Sequence, residues 1–257
     1  MNKFFEYPKF DLNGEMVLTR RDGEFKDMLM NITVYKMKAG DIREFRLSDE
    51  ELAILLVEGD VTFKWDDNQV RAKRESFISE GPSSLHVAKG VLVTIEANDE
   101  SEILVQSTDN NKDFASKFYS PADCEDIIAG EGLCNNKAVR IVRTVFDLNN
   151  APYSNMVLGE VIAEQGGWSS YIPHHHPQPE VYYYRFERPE GFGACFIGDY
   201  AFKVSDRSFA AIPGGQTHPQ VAAPGYPMYY VWMIRHFVDN PWTDRVDDER
   251  YVWLTKD

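Results

Sequence analysis

Short strand-like runs, each ended within a few residues by Gly, Pro, Asn or Asp, recur over most of this chain. One set occupies residues 32–36, 52–57, 61–65, 91–96 and 103–106. A second occupies residues 138–145, 156–163, 181–186, 209–212 and 228–234. Many short strands at such spacing predict an all-β sandwich or barrel.

Between the two sets the pattern changes. A polar stretch at residues 109–112 leads to Ser120-Pro121, a pairing suited to a helix N-cap and first helical position, so residues 122–129 are expected to form a short helix. Turn phrases recur on both sides of this connector: Glu80-Gly81-Pro82 leads towards His86 much as Pro213-Gly214-Gly215 leads towards His218. Two diverged copies of one β-unit account for the recurrence. With 257 residues, 43% of them hydrophobic, the chain is long enough to fill two small cores. The expected layout is a first β-half over residues 1–108, a connector over 109–137 and a second β-half over 138–257.

The formal charge of -14, with no stripe of Lys and Arg to neutralise phosphates, excludes a nucleic-acid binder. The first residues lack an apolar signal core, and the longest apolar run, residues 52–57, is too short to cross a bilayer. A soluble, cytoplasmic protein without a membrane partner is expected, and self-association as a homo-oligomer is left open. Cys124, Cys134 and Cys195 form no C-x-x-C pair and are odd in number, which predicts reduced thiols rather than a disulfide framework.

The chemistry is concentrated after Gly166. On an extended strand alternate side chains share a face, so His174 and His176 can point one way while His175 points the other. Pro177 and Pro179 interrupt any ladder, so a short turn is expected before the next strand returns Glu180 to the same pocket. The Gly-rich turn at residues 213–215 delivers His218 as a fourth ligand. Three His and one Glu suit one divalent ion such as zinc, manganese or iron, with coordination positions left for substrate or water. The first half has only His86, with no clustered partner, and is expected to carry no metal.

Tyr182 and Tyr184 share the parity of Glu180 and are expected to line the same interior. Arg185 falls on the opposite parity and is expected at the surface or an interface. Arg235 and Lys203 are candidates for contacting a substrate carboxylate.

The pattern H-x-H-x-x-x-E followed by P-x-G-x-x-H resembles the paired metal motifs of the cupin superfamily, with His174, His176, Glu180 and His218 in the ligand positions. The strings GGWSSYIPHHH, EVYYYRFERPEGFG and PGYPMYY are similar to the 5-deoxyglucuronate isomerase family of inositol catabolism, chiefly over residues 160–230. That resemblance implies two cupin barrels of double-stranded β-helix, or jelly-roll, form. It also implies aldose-to-ketose conversion of a small sugar acid, 5-deoxy-glucuronate into 5-dehydro-2-deoxy-gluconate, an intramolecular oxidoreduction. For such chemistry Glu180, Tyr182, Tyr184 and Tyr229 are the candidate proton-transfer groups, with Tyr229 and Arg235 set against the substrate. An iron dioxygenase using the same ligands, or a non-catalytic sugar-binding cupin, are the alternatives that the residues leave open.

Overall fold

The computed structural model describes residues 4–255. Helical turns among them are limited to three 3-10 stretches, Lys26–Met28, Pro121–Asp123 and Val252–Thr255, and strands make the architecture. No helix is long and apolar enough to cross a membrane among the described residues.

One long strand, Glu50–Trp65, builds both walls of the first barrel. Its first part pairs antiparallel with Ser83–Val87 and Ser101–Asp109, and its second part with Asn68–Arg74 and Val93–Ala97. The sequence presents these parts as two runs, and Gly59 is why they join. Its φ is +114°, and a Cβ there would lie 2.3 Å from Ser101 Oγ and 2.5 Å from the Glu100 carbonyl oxygen, so only glycine carries the chain round the corner.

In the second barrel, Glu180–Arg185 lies between Phe209–Ile212 and Met228–Arg235, with Met156–Ala163 and Arg140–Phe146 following outwards. A smaller sheet of Trp168–Ser169, Gln220–Ala222, Phe192–Ile197 and Tyr200–Ser205 closes over it. The beginning of the chain, assigned from sequence to the first half, pairs here: Phe5 is in register with Ala210 and Glu6 with Phe209.

The main sheets of the two barrels pack on each other, so their central strands are buried on both faces. Along Glu50–Trp65, Leu52, Ile54 and Leu56 fill the first barrel, while Ala53, Leu55 and Val57 face the other half. Along Met228–Arg235, Met228, Tyr230, Trp232 and Ile234 fill the second barrel, while Tyr229, Val231 and Met233 face the first half. This double burial explains why both segments are continuous apolar runs rather than alternating ones.

Several charged side chains lie in this interface. Arg185, expected at the surface or an interface, is buried between the halves, where it pairs with Glu102 at 2.6 Å and Asp206 at 2.9 Å. Arg74 from the first half forms a two-pronged bond to Glu160 of the second, at 2.7 and 2.8 Å. His86 is buried with its Nε2 2.9 Å from Glu51 and its ring stacked on Phe146 at 4.3 Å. Glu51 in turn accepts from Ser154 Oγ at 2.9 Å and the Asn155 N–H at 2.6 Å, which ties it to the second half.

The connector departs from the expected helix over residues 122–129. Only one 3-10 turn forms, Pro121–Asp123, with the Ser120 N–H and hydroxyl donating to Asp123 Oδ2 at 2.8 and 2.6 Å. The chain then extends as Ile127–Ala129 against Arg140–Phe146. Two consecutive β-branched isoleucines opposite a free strand edge favour pairing over further helix. All three cysteines are free thiols.

Candidate metal centre

Each ligand candidate is delivered by a different local device. His174 and His175 form a two-residue strand against Val246–Asp247, and the Asp248 N–H donates to the Pro173 carbonyl at 3.0 Å, so the C-terminal segment holds the histidine loop. Gln178, between the two prolines, donates to the Asn240 carbonyl at 2.6 Å. Glu180 opens its strand in register with both Ile212 and Ile234. His218 follows the turn at residues 213–215, where Gly215 has a φ of +82° and its N–H donates to the His176 carbonyl at 2.7 Å. The turn that carries His218 is thereby tied to the loop that carries His176.

Ligand atoms of His176, Glu180 and His218 lie within 4.8 Å of one another. His174 stands beside this trio, its ring centroid 4.8 Å from that of His218. The orientation of the three rings is set by backbone carbonyls. His174 Nδ1 lies 3.0 Å from the Ile172 oxygen, His176 Nδ1 2.9 Å from that of Gln178, and His218 Nδ1 2.9 Å from that of Gln216. A carbonyl only accepts, so each Nδ1 donates and a neutral ring leaves the Nε2 lone pair free.

Burial first, and then the neighbouring His218, hold the His174 imidazole down to about 2; burial likewise lowers His218. The His174 and His218 rings are therefore neutral. The Nε2 atoms of His176 and His218 lie 3.3 and 3.2 Å from one oxygen, Glu180 Oε2. His218 Nε2 is fully buried without a hydrogen-bond partner. A buried lone pair beside a carboxylate is repelled unless a cation lies between them. The donor set of imidazole nitrogens and one carboxylate therefore fits a borderline divalent ion, zinc, manganese or iron. His175 is only half-buried and lies outside the cluster.

His174, His176 and Glu180 line a cavity of about 330 Å³ together with Tyr182, Tyr230, Ser169, Ser170, Arg140 and Arg245. Ser169 and Tyr230 hydroxyls are 2.5 Å apart, and Ser170 is 3.1 Å from the Tyr182 hydroxyl. Burial raises both phenols, Tyr230 to about 12 and Tyr182 well above the ordinary tyrosine value, so both stay protonated.

Other expected site residues are elsewhere. Tyr184 shares the barrel interior but does not line the cavity; its hydroxyl donates to Gln220 Oε1 at 2.7 Å. Tyr229 faces the first half and donates to Glu160 Oε1 at 2.5 Å. Arg235 is also turned there, with Nε donating to Thr108 Oγ1 at 2.8 Å and Nη2 to Asp109 Oδ1 at 3.2 Å. Lys203 is exposed, over the Phe192 ring at 5.7 Å. Tyr229 and Arg235 share one strand parity, and neither meets the cavity as expected. On the strand that carries them, residues of Tyr230 parity enter the cavity and those of Tyr229 parity do not. Which parity enters the cavity depends on the register of this strand with Glu180–Arg185, so Tyr230 carries no local signal, and neither does Arg140.

Gly214 gives a direct test of how the ligand loops are held. A Cβ there would lie 1.9 Å from the Pro177 carbonyl oxygen, which is backbone and cannot swing aside. Gly214→Ala is expected to shift the His176 loop and weaken zinc binding by about 10- to 100-fold, as for loss of an orienting partner, measured by competition with a chromophoric chelator. Unchanged affinity would show that the loop is not held by this contact.

Comparison with known proteins agrees with the architecture. A protein of Shouchella clausii named 5-deoxy-glucuronate isomerase is 24% identical over 272 residues, covering 94% of this chain and 98% of that protein. A protein of the same name from Lacticaseibacillus casei is 25% identical, covering 82% of this chain and 86% of its own. Among solved structures, an IolB-like protein of Salmonella typhimurium superposes with a TM-score of 0.87 at 18% identity, over 99% of this chain and 100% of that one. Oxalate decarboxylase of Lactobacillus farciminis superposes with a TM-score of 0.71 at 12% identity, over 100% of this chain and 91% of its own, so the two-cupin fold is shared. The KduI/IolB family model matches residues 6–254, first half included, and a match that runs through both barrels and all four ligand candidates places this chain in the KduI/IolB family.

Proposed function

We propose that this chain is a metal-dependent aldose–ketose isomerase that converts 5-deoxy-glucuronate into 5-dehydro-2-deoxy-gluconate. The observation that carries the reading is the convergence of neutral imidazoles and Glu180 at one end of a cavity lined by protonated phenols, in a chain whose relatives bear the isomerase name.

The reaction moves one proton from the hydroxyl-bearing carbon to the neighbouring aldehyde carbon through an enediol, with no net change of oxidation state in the molecule. A divalent ion held by His174, His176, Glu180 and His218 would supply Lewis acidity towards the carbonyl oxygen. The chain's own groups hold and move the protons. Tyr182 and Tyr230 keep theirs and act as donors towards substrate oxygens, with Ser170 linking the two phenols and Ser169 bonded to Tyr230. The carboxylates lining the cavity are Glu180 and Asp244, and they are the acceptors available for a proton from carbon. Tyr184, hydrogen-bonded to Gln220 away from the cavity, positions the barrel wall.

The test is metal analysis of the purified protein followed by NMR of its mixture with 5-deoxy-glucuronate. The expected result is a ketone product, formed without oxygen or a nicotinamide cofactor. Solvent deuterium is expected to enter the carbon that was the aldehyde. Oxygen-dependent cleavage of the sugar acid would overturn the isomerase reading and favour a dioxygenase.

A further inference from the structure

Five arginines are buried in the described chain: Arg74, Arg140, Arg143, Arg185 and Arg235. Four have a carboxylate partner, Glu160 for Arg74, Asp126 for Arg143, Glu102 for Arg185 and Asp109 for Arg235. Arg140 has none. It is 6% exposed, and its one side-chain hydrogen bond runs from Nη1 to the Ala138 carbonyl at 2.8 Å. The remaining guanidinium N–H groups have no partner among the described residues, and the side chain lines the metal cavity.

The charges around it do not compensate. The other arginine of the cavity, Arg245, is partly exposed and already faces Asp247 at 3.2 Å. Neither carboxylate of the cavity is within ion-pair distance of Arg140: Glu180 faces the imidazoles and Asp244 is exposed at the rim. Burial holds the guanidinium below the ordinary arginine value, as expected for a cation taken out of water with no counter-ion. The backbone encloses it closely, since a Cβ on Gly130, whose φ is +85°, would sit 2.6 Å from Arg140 Nη1.

We infer that Arg140 anchors the carboxylate of the sugar acid, holding the end of the chain remote from the reacting carbons while the carbonyl end meets the His/Glu cluster. The buried guanidinium supplies a planar fork matched to a carboxylate, and the ligand supplies the counter-charge that the protein lacks. The same contact selects uronates over neutral aldoses, because an uncharged ligand leaves the arginine unpaired. The identity of the substrate rests on the isomerase reading above; the anchoring of a carboxylate does not.

Two measurements separate these. In the first, thermal melting of the metal-loaded protein is followed with D-gluconate, a sugar acid that cannot isomerise. Gluconate is expected to raise the melting temperature of the wild type and to have little effect on Arg140→Gln, with Arg140→Lys in between and metal content unchanged in all three. Gly130→Ala, which keeps the arginine but displaces it, is expected to lose part of the shift. In the second, Arg140→Gln is expected to raise KM for 5-deoxy-glucuronate by roughly 10- to 100-fold while kcat changes much less. Turnover of the matching aldose with a hydroxymethyl group in place of the carboxylate should not fall.

Equal loss on the charged and neutral sugars, or a gluconate shift that is absent from the wild type or survives in Arg140→Gln, overturns the anchor. A gluconate shift that depends on Arg140 in a protein that leaves 5-deoxy-glucuronate unchanged upholds the anchor and overturns the isomerase reading instead.

Discussion

His176→Ala is expected to lose most of the bound metal and to lower turnover by about 10²–10³-fold or more, whereas His175→Ala keeps both. The contrast tests the site more sharply than either variant alone, because the two residues are neighbours with the same chemistry. His176 is buried, its Nδ1 held by the Gln178 carbonyl and its Nε2 directed at Glu180 3.3 Å away. His175 is half-buried and takes its place in the short strand opposite Val246. Removing the His176 ring deletes one lone pair from the centre of the cluster and leaves His174, Glu180 and His218 to hold the ion less tightly. Metal analysis after gel filtration, with the isomerase assay on the same samples, reads both effects. Equal metal loss in the two variants would mean that the strand alternation is not what selects the ligands.

Arg74→Ala is expected to destabilise the protein by about 3–5 kcal/mol, since it leaves the buried Glu160 with only Arg143, 3.9 Å away, and the Tyr229 hydroxyl as partners between the two halves. For a chain of this size that corresponds to a fall in melting temperature of roughly 10 °C. Both side chains are almost completely buried, at 1% and 0% exposure, and the Tyr229 hydroxyl also donates to Glu160. The loss comes from the stranded carboxylate more than from the attraction forfeited. The double variant Arg74→Met with Glu160→Leu should therefore recover most of the stability, because an apolar pair of similar volume avoids the desolvation cost. Calorimetry of the two variants distinguishes this from a simple loss of packing, in which the double variant would be the worse of the two. Because Arg74 and Glu160 come from different barrels, the same experiment reports how far the barrels depend on each other for stability.

Much of the barrel structure was readable locally. Met156–Ala163 and Phe209–Ile212 have the bounds that their apolar runs predict, Glu180–Arg185 is shifted from prediction by one residue at both ends, and Met228–Arg235 runs one residue longer. Glu50–Trp65 was not readable as one strand, since its bend depends on how closely Ser101 and Glu100 approach Gly59 from a distant part of the chain. The connector failed for a related reason. Ser120-Pro121 is a sound helix start, but residues 127–129 are captured by the edge of the second sheet, which local sequence does not display.

The sequence by itself determined the all-β class, the repetition of one β-unit and the nearness of His176, Glu180 and His218. These depend on strand alternation and on turns marked by Pro and Gly, which act over a few residues. Only the tertiary structure decided which face of each doubly buried strand meets the cavity. On Met228–Arg235 both faces are apolar or aromatic, so composition cannot say that Tyr230 lines the cavity while Tyr229 and Arg235 bind across to the first half. Nor can it show that Arg140, alone among the buried arginines described, is left without an acid. An arginine's role is set by the charges that the fold brings within a few ångströms of it, and those come from segments far away in the chain.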